Sequence, residues 1–140
     1  MAGKGAFKIR VVKKWPAEEL VALYRAGGWW KDCYDTSGLP LLIKGSFAFA
    51  VAMEKGTGKA VGMARAISDG VSDAYIQDMV VLPGYRKMGI GRMLVEALVA
   101  RLKKKGIHWI GLIAEEGSDG FYTKLGFGPF KGKPMIYKMD

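Results

Sequence analysis

One passage narrows the possible folds of this chain more than any other: Val80-Val81-Leu82-Pro83-Gly84-Tyr85-Arg86-Lys87-Met88-Gly89-Ile90-Gly91-Arg92-Met93-Leu94. An apolar strand stops at Pro83-Gly84, a basic turn with two glycines follows, and a helical pattern starts inside that turn. A strand delivered straight into a helix N-terminus leaves backbone N–H groups unpaired, and the partial positive charge there favours an anion. Arg86, Lys87 and Arg92 add cations around it. The glycines remove side chains where the backbone must come close to a ligand. The passage reads as a site for a diphosphate or another compact anion, set against the plainer reading of an ordinary glycine turn. It lacks the full G-x-G-x-x-G spacing of a dinucleotide site and the G-K-[ST] ending of a nucleotide-hydrolysing loop, which disfavours both chemistries.

The flanks of this passage predict a βαβ unit. Residues 74–82 form an apolar strand. Over 89–105 the residues Ile90, Leu94, Ala97, Leu98 and Leu102 recur at helical spacing, with Gly106 as C-cap, and residues 107–114 form the next strand. Two parallel strands joined by a helix place the turn at the carboxyl end of the first, where open α/β sheets hold ligands. Before this unit, residues 7–13 read as a strand. A helix starts at Pro16 with Glu18-Glu19, presents Leu20, Leu23 and Tyr24 on one face, and ends at Gly27-Gly28. Residues 29–38 read as a second short helix or an ordered loop. Residues 47–54 and 60–67 pair as a hairpin across Gly56-Thr57-Gly58-Lys59. After the unit, Ser118 or Asp119 caps a helix over 120–125, and residues 135–139 supply a final strand. The order gives one mixed α/β sheet, largely antiparallel with one parallel pair, in a single domain over 1–140.

Composition sets bounds. Half of the 140 residues are hydrophobic and a quarter charged, as in an ordinary globular protein. No apolar run approaches the ~20 residues of a membrane span, so no membrane partner is expected. The basic start Met1-Ala2-Gly3-Lys4-Gly5 leads into no apolar core, so a secretory signal is not expected. The single cysteine, Cys33, cannot form an internal disulfide, which fits a reducing cytoplasm. A lone histidine, His108, argues against a metal site. The 22 basic against 13 acidic residues give a net charge of +9, which suits nucleic acid, an anionic small ligand or plain solubility. The cations are dispersed, and Lys103-Lys104-Lys105 sits where a helix ends and complements its dipole. With no recognition helix or aromatic strand signature, nucleic acid is not expected.

Two motifs carry a family resemblance. Arg86-x-x-Gly89-x-Gly91, behind the apolar strand, is similar to the [Q/R]-x-x-G-x-[G/A] signature of the GNAT superfamily of acyl-CoA-dependent N-acyltransferases. Downstream, Phe121-Tyr122-Thr123-Lys124-Leu125-Gly126-Phe127 resembles that superfamily's aromatic-Tyr-x-Lys-x-Gly-Phe helix. The resemblance covers residues 74–127 firmly and residues 7–67 in pattern, and its type is that of a small bacterial or archaeal member. It implies a splayed parallel strand pair and a cytoplasmic N-acetyltransferase that moves an acetyl group from acetyl-CoA to a primary amine, of a small molecule or a protein, in a ternary complex. Backbone groups of Met79 and Val81 would pair with the pantetheine arm. The N–H groups of Arg86, Lys87, Met88, Gly89, Ile90, Gly91 and Arg92 would hold the pyrophosphate, with Phe121 beside them. Tyr122 would stand near the sulfur and protonate the departing thiolate. The strand amide of Met79 would serve the developing oxyanion. Trp29, Trp30, Tyr34 and Phe47 would shape the acceptor site, although four such aromatics are also ordinary core. A homodimer is compatible with this reading, and the reading from another class is a non-catalytic acyl-CoA-binding or sensor module.

The proton acceptor stays open at this level. Asp78 interrupts an apolar strand, and an unpaired buried charge is costly, so it has a partner or a task. Some polyamine-acetylating relatives carry an acid at the matching position, and a structural Asp78 is the equal alternative. Asp73, Glu115, Glu116 and water are further candidates. Glu115 stands where many relatives have an asparagine, which puts that coenzyme contact in doubt.

Overall fold

The computed structural model describes residues 4–139; Met1, Ala2 and Gly3 of the basic start, and Asp140, lie outside the described residues. In chain order the elements are β1 (Phe7–Val12), α1 (Ala17–Ala26), α2 (Leu39–Gly45), β2 (Ala48–Glu54), β3 (Ala60–Ser68), β4 (Asp73–Val81), α3 (Ile90–Lys104), β5 (Trp109–Gly111) and α4 (Asp119–Thr123). The five strands form one sheet in the order β1-β2-β3-β4-β5. The first four are antiparallel neighbours, and β4 pairs with β5 in parallel. This is the mixed, largely antiparallel α/β architecture expected from the sequence.

The strand period of two sorts the core into two layers. Ala48, Ala50 and Ala52 of β2 pack with Ile90, Leu94, Val95 and Leu98 of α3. Phe49 and Val51, between them, pack with Leu20 and Leu23 of α1 and Leu39 and Ile43 of α2. Small residues let α3 lie close to the sheet: a Cβ on Gly62 would come 3.1 Å from Leu94 and 3.2 Å from Ile90. The helix that follows the basic glycine loop is thereby seated on the sheet centre.

One open alternative is decided and two expectations change. Residues 29–38 are the ordered loop and not the helix, with a single tight turn, Thr36–Gly38, capped by Asp35; the second helix begins at Leu39. The strand expected over 107–114 shrinks to Trp109–Gly111. Ile107 is instead fixed by the exit of α3, its N–H donating to the Leu102 carbonyl at 3.0 Å, with its side chain buried. The final strand over 135–139 does not form, because no described strand pairs with that segment, and its apolar side chains stand in solvent. No helix of the described residues is long and apolar enough to cross a membrane.

Candidate active site

β4 and β5 stay together for only three pairs, Asp73↔Trp109, Ala74↔Ile110 and Tyr75↔Gly111. Beyond Tyr75 the two chains part, and β4 runs on to Val81 with a strand partner only on its β3 side. A cavity of about 250 Å³ opens at this parting. Trp29 and Tyr75 give it aromatic walls, Ile113 an apolar one, and Asp78, Met79, Glu115 and Tyr122 its chemistry.

A bulge aims Asp78. Between the pairs Met63↔Val80 and Arg65↔Gln77, β3 spends one residue where β4 spends two, Asp78 and Met79. Such a bulge kinks the strand and redirects a side chain. Asp78 absorbs the kink with a φ of 58°, a left-handed conformation that aspartate tolerates better than most residues. Its Oδ2 accepts hydrogen bonds from the Tyr24 hydroxyl at 2.8 Å and from Arg65 Nε at 2.6 Å. Arg65 and Asp78 are both largely buried, so the pair neutralises charge that would be costly alone. Oδ1 accepts nothing among the described residues. Burial, reinforced by the Asp78 charge and hydrogen bond, pushes the Tyr24 hydroxyl well above the usual tyrosine range, and the Arg65 charge partly offsets this.

The basic glycine loop follows directly. After a tight turn at Pro83–Tyr85, Lys87 (φ 63°) and Gly89 (φ 83°) both take left-handed conformations. Successive turns of this kind make backbone concavities suited to anions. The first α3 bond runs from the Met93 N–H to the Gly89 carbonyl, and no side chain caps the helix. The N–H groups of Ile90, Gly91 and Arg92 therefore have no helical acceptor. The cations are placed unequally: Arg86 Nε turns back to the Val81 carbonyl at 2.9 Å and Arg92 pairs with Glu96 at 3.1 Å. Lys87 is exposed and makes no salt bridge among the described residues. Gly91 joins loop and cavity, since a Cβ there would meet the Phe121 ring at 3.2 Å and the Met79 sulfur at 3.4 Å.

Tyr122, on α4, is held edge-on by Phe121 at 4.9 Å and Phe127 at 5.8 Å between ring centres. Its hydroxyl makes no hydrogen bond among the described residues. Burial first, and the Glu115 charge second, raise it above the ordinary tyrosine value, so it is a protonated donor at neutral pH.

A basic loop leading into an uncapped helix N-terminus, a parting parallel pair and, at the parting, a tyrosine hydroxyl without a hydrogen-bond partner among the described residues are thus contiguous. The profile of the acetyltransferase (GNAT) family matches residues 12–127. The chain belongs to the GNAT family. It is 38% identical over 119 residues to GCN5-related N-acetyltransferase 2, chloroplastic, of Arabidopsis thaliana, a match covering 81% of this chain and 45% of that protein. It is 47% identical over 70 residues to serotonin N-acetyltransferase 2, chloroplastic, of Oryza sativa subsp. japonica, covering 50% of this chain and 35% of that protein. The chain thus spans less than half the length of these two relatives. A GNAT family acetyltransferase of Streptococcus pneumoniae TIGR4 superposes with a TM-score of 0.78 at 27% identity, covering 95% of this chain and 98% of that one. That structure is of a bacterial protein and the two curated relatives are plant proteins, so the comparisons show the family and not the bacterial or archaeal type expected from the sequence.

Within this GNAT frame the sequence candidates separate. Asp78, Met79, Glu115 and Tyr122 come together at the cavity, with Trp29. Asp73 and Glu116 do not line it; Asp73 sits at the exposed start of β4. Trp30 and Tyr34 pair with each other at 5.5 Å outside the cavity. Phe47 packs beside the Gly70 turn, at the end of the sheet where β2 begins. Of the four aromatics, only Trp29 reaches the site. Val81 offers less than expected, since Arg86 takes its carbonyl. Sequence reasoning passed over Arg65 and the Tyr24 hydroxyl. Arg65 had a signal: it is the only charge in Ala60–Ser68, as Asp78 interrupts the apolar end of β4.

Proposed function

We propose that the chain, as one catalytic domain, transfers an acetyl group from acetyl-CoA to a primary amine by direct attack within a ternary complex. The observation that carries this is the sharing of one cavity by Tyr122 and the β4 bulge, joined through Met79 and Gly91 to the α3 loop. The residues fit the coenzyme: acceptor-free N–H groups suit a diphosphate, and a strand flank without a partner suits an amide-bearing arm. When bound, the coenzyme supplies a thioester-activated acetyl group. The chain orients it by the N–H groups from Arg86 to Arg92 and by the backbone of Met79 and Val81. The Met79 N–H is the donor offered to the reacting carbonyl oxygen. As the amine nitrogen bonds to that carbonyl carbon and the carbon–sulfur bond breaks, Tyr122 gives its proton to the sulfur. The ammonium first gives one proton to Oδ1 of Asp78 or to Glu115, directly or through water, and the nitrogen's second proton, lost after attack, returns through water to the Tyr122 oxygen.

The acceptor we infer is a small primary amine with an apolar or aromatic body. Trp29 and Tyr75 supply faces for it, and two carboxylates against one Arg65 favour its ammonium form in the encounter. The name of the rice relative, a serotonin N-acetyltransferase, supports an aromatic amine. Cys33 is exposed and unpaired, which supports a reducing compartment, the cytoplasm in our reading; the names of both plant relatives place those proteins in chloroplasts. The test is release of free coenzyme thiol across a panel of aromatic amines, polyamines, amino acids and lysine peptides. Release with aromatic amines above the others is expected. Coenzyme binding without thiol release for any amine would favour a non-catalytic acyl-CoA-binding module instead.

A further inference from the structure

β1 is an end strand of the sheet, and among the described residues its outer edge has no strand partner. On the inner edge the Lys55 N–H donates to the Ala6 carbonyl at 2.9 Å. Antiparallel pairing alternates along a strand, so Phe7, Ile9 and Val11 turn their N–H and C=O groups outward. The side chains alternate too. Ile9 and Val11 are half-buried on the α3 side with Phe7, whereas Lys8 and Arg10 stand exposed on the other face, the one that carries Val12 to the α1 layer.

The edge runs into a cavity of about 750 Å³ bordered by Arg10, Lys13, Lys14 and Trp15. The Arg10 guanidinium lies 6.0 Å from the centre of the Trp15 ring, and Trp15 Nε1 donates to Glu19 at 3.1 Å. The Glu19 carboxylate also accepts the Ala60 N–H at 2.7 Å, so it is engaged inward. Residues 4–17 contain five cations, Lys4, Lys8, Arg10, Lys13 and Lys14, and no acid. Lysines on an edge ordinarily keep stray strands away. They repel most strongly a second copy of the same edge, which brings the same cations, and they attract a strand that carries acids.

We propose that the outer edge of β1 is a docking strip for an extended acidic segment of a partner protein, which adds to the sheet beside β1. The period of two sets the pattern of that segment. Asp or Glu would stand beside Lys8 and Arg10, Val or Ile would cover the outer flanks of Ile9 and Val11, and further acids would meet Lys13 and Lys14 past the strand end. Main-chain bonds to Phe7, Ile9 and Val11 supply the binding, and the ion pairs select the partner. The strip lies three strand spacings, roughly 14 Å, from β4. Docking there leaves the cavity at the parting of β4 and β5 open, and the inference does not rest on the acetyltransferase reading.

The probe is a fluorescent ten-residue peptide in which Glu alternates with Val, and anisotropy reads its binding to the full chain. Saturable binding is expected at low salt, falling as salt rises. The same residues in two blocks, five Glu then five Val, should bind about tenfold more weakly. N-methylation of every second peptide nitrogen should abolish binding in one phase and spare it in the other, because only one set of N–H groups faces β1. Lys13→Glu combined with Lys14→Glu should weaken binding at least tenfold, with an unchanged far-ultraviolet spectrum. Lys103→Glu combined with Lys104→Glu, the same charge change at the end of α3, should leave it within twofold. Equal losses in the two double variants, equal binding of the block peptide or equal effects of the two methylation phases would overturn the proposal. So would displacement of the peptide by acetyl-CoA, tighter binding of a single-stranded oligonucleotide at the same residues, or no binding at low salt.

Discussion

The head of α3 and the bulge in β4 are separated by about ten residues and are built by opposite means. The α3 loop is almost entirely backbone: left-handed Lys87 and Gly89, acceptor-free N–H groups, and a glycine at 91 where Met79 and Phe121 leave no room. The bulge is a side-chain device, in which Asp78 of β4 is held by Arg65 of β3 and Tyr24 of α1. In the proposed function the first holds the charged coenzyme without spending a titratable group, and the second places a charge beside the reacting centre and must neutralise it. The contrast predicts that the two regions fail differently when altered.

The largest effect belongs to neither but to the donor between them. Tyr122→Phe should lower kcat by roughly a hundredfold or more, the size of a general-acid contribution, with coenzyme affinity nearly constant; single-turnover and equilibrium binding measurements separate the two. Arg65→Met comes next. It leaves the Asp78 carboxylate without its charged partner and should cost about 2 kcal/mol of stability by chemical denaturation, while coenzyme affinity stays within twofold. A change in affinity as large as that in stability would dissolve the separation of the two regions. Gly89→Val is the mirror case. A β-branched residue at φ 83° is strained by about 1–3 kcal/mol. The change should weaken coenzyme binding about tenfold, read by calorimetry, while the Arg65–Asp78 pair is untouched.

The smallest effect is one of pH. The folded state raises the Tyr24 hydroxyl pKa, so above the unfolded value of about 10 the unfolded chain binds fewer protons than the folded one. Stability must then fall as pH rises past 10. Tyr24→Phe should be less stable than the native chain at pH 7, by loss of the hydrogen bond to Asp78, and its stability should decline less steeply above pH 10. Parallel declines in urea titrations at pH 9, 10 and 11 would mean that burial of Tyr24 is not what ties it to Asp78.

The same contrast explains what could be read from the sequence. The loop is local, so its strand, turn, glycines and helix lie within fifteen consecutive residues and were legible. The β2–β3 hairpin and the parallel β4–β5 pair followed from periodicity and short connections. The bulge joins residues 24, 65 and 78, and pairing across strands is invisible without the register; only the isolated charges in β3 and β4 hinted at it. The aromatics from Trp29 to Phe47 could not be sorted, because composition does not say on which side of α1 or at which sheet end a ring lies. The strand expected over 135–139 was read from β-forming residues alone, and such residues need a partner before they pair.

The central claim is that the α3 loop and the parting of β4 and β5 hold an acyl-CoA with its thioester beside Tyr122. Thermal denaturation with acetyl-CoA tests it most directly. At a hundred times its dissociation constant the coenzyme should stabilise the native chain by about 2.7 kcal/mol, seen as a clear rise in Tm that Gly89→Val roughly halves and Tyr122→Phe keeps. No rise at millimolar acetyl-CoA, or an equal rise in all three chains, would contradict it.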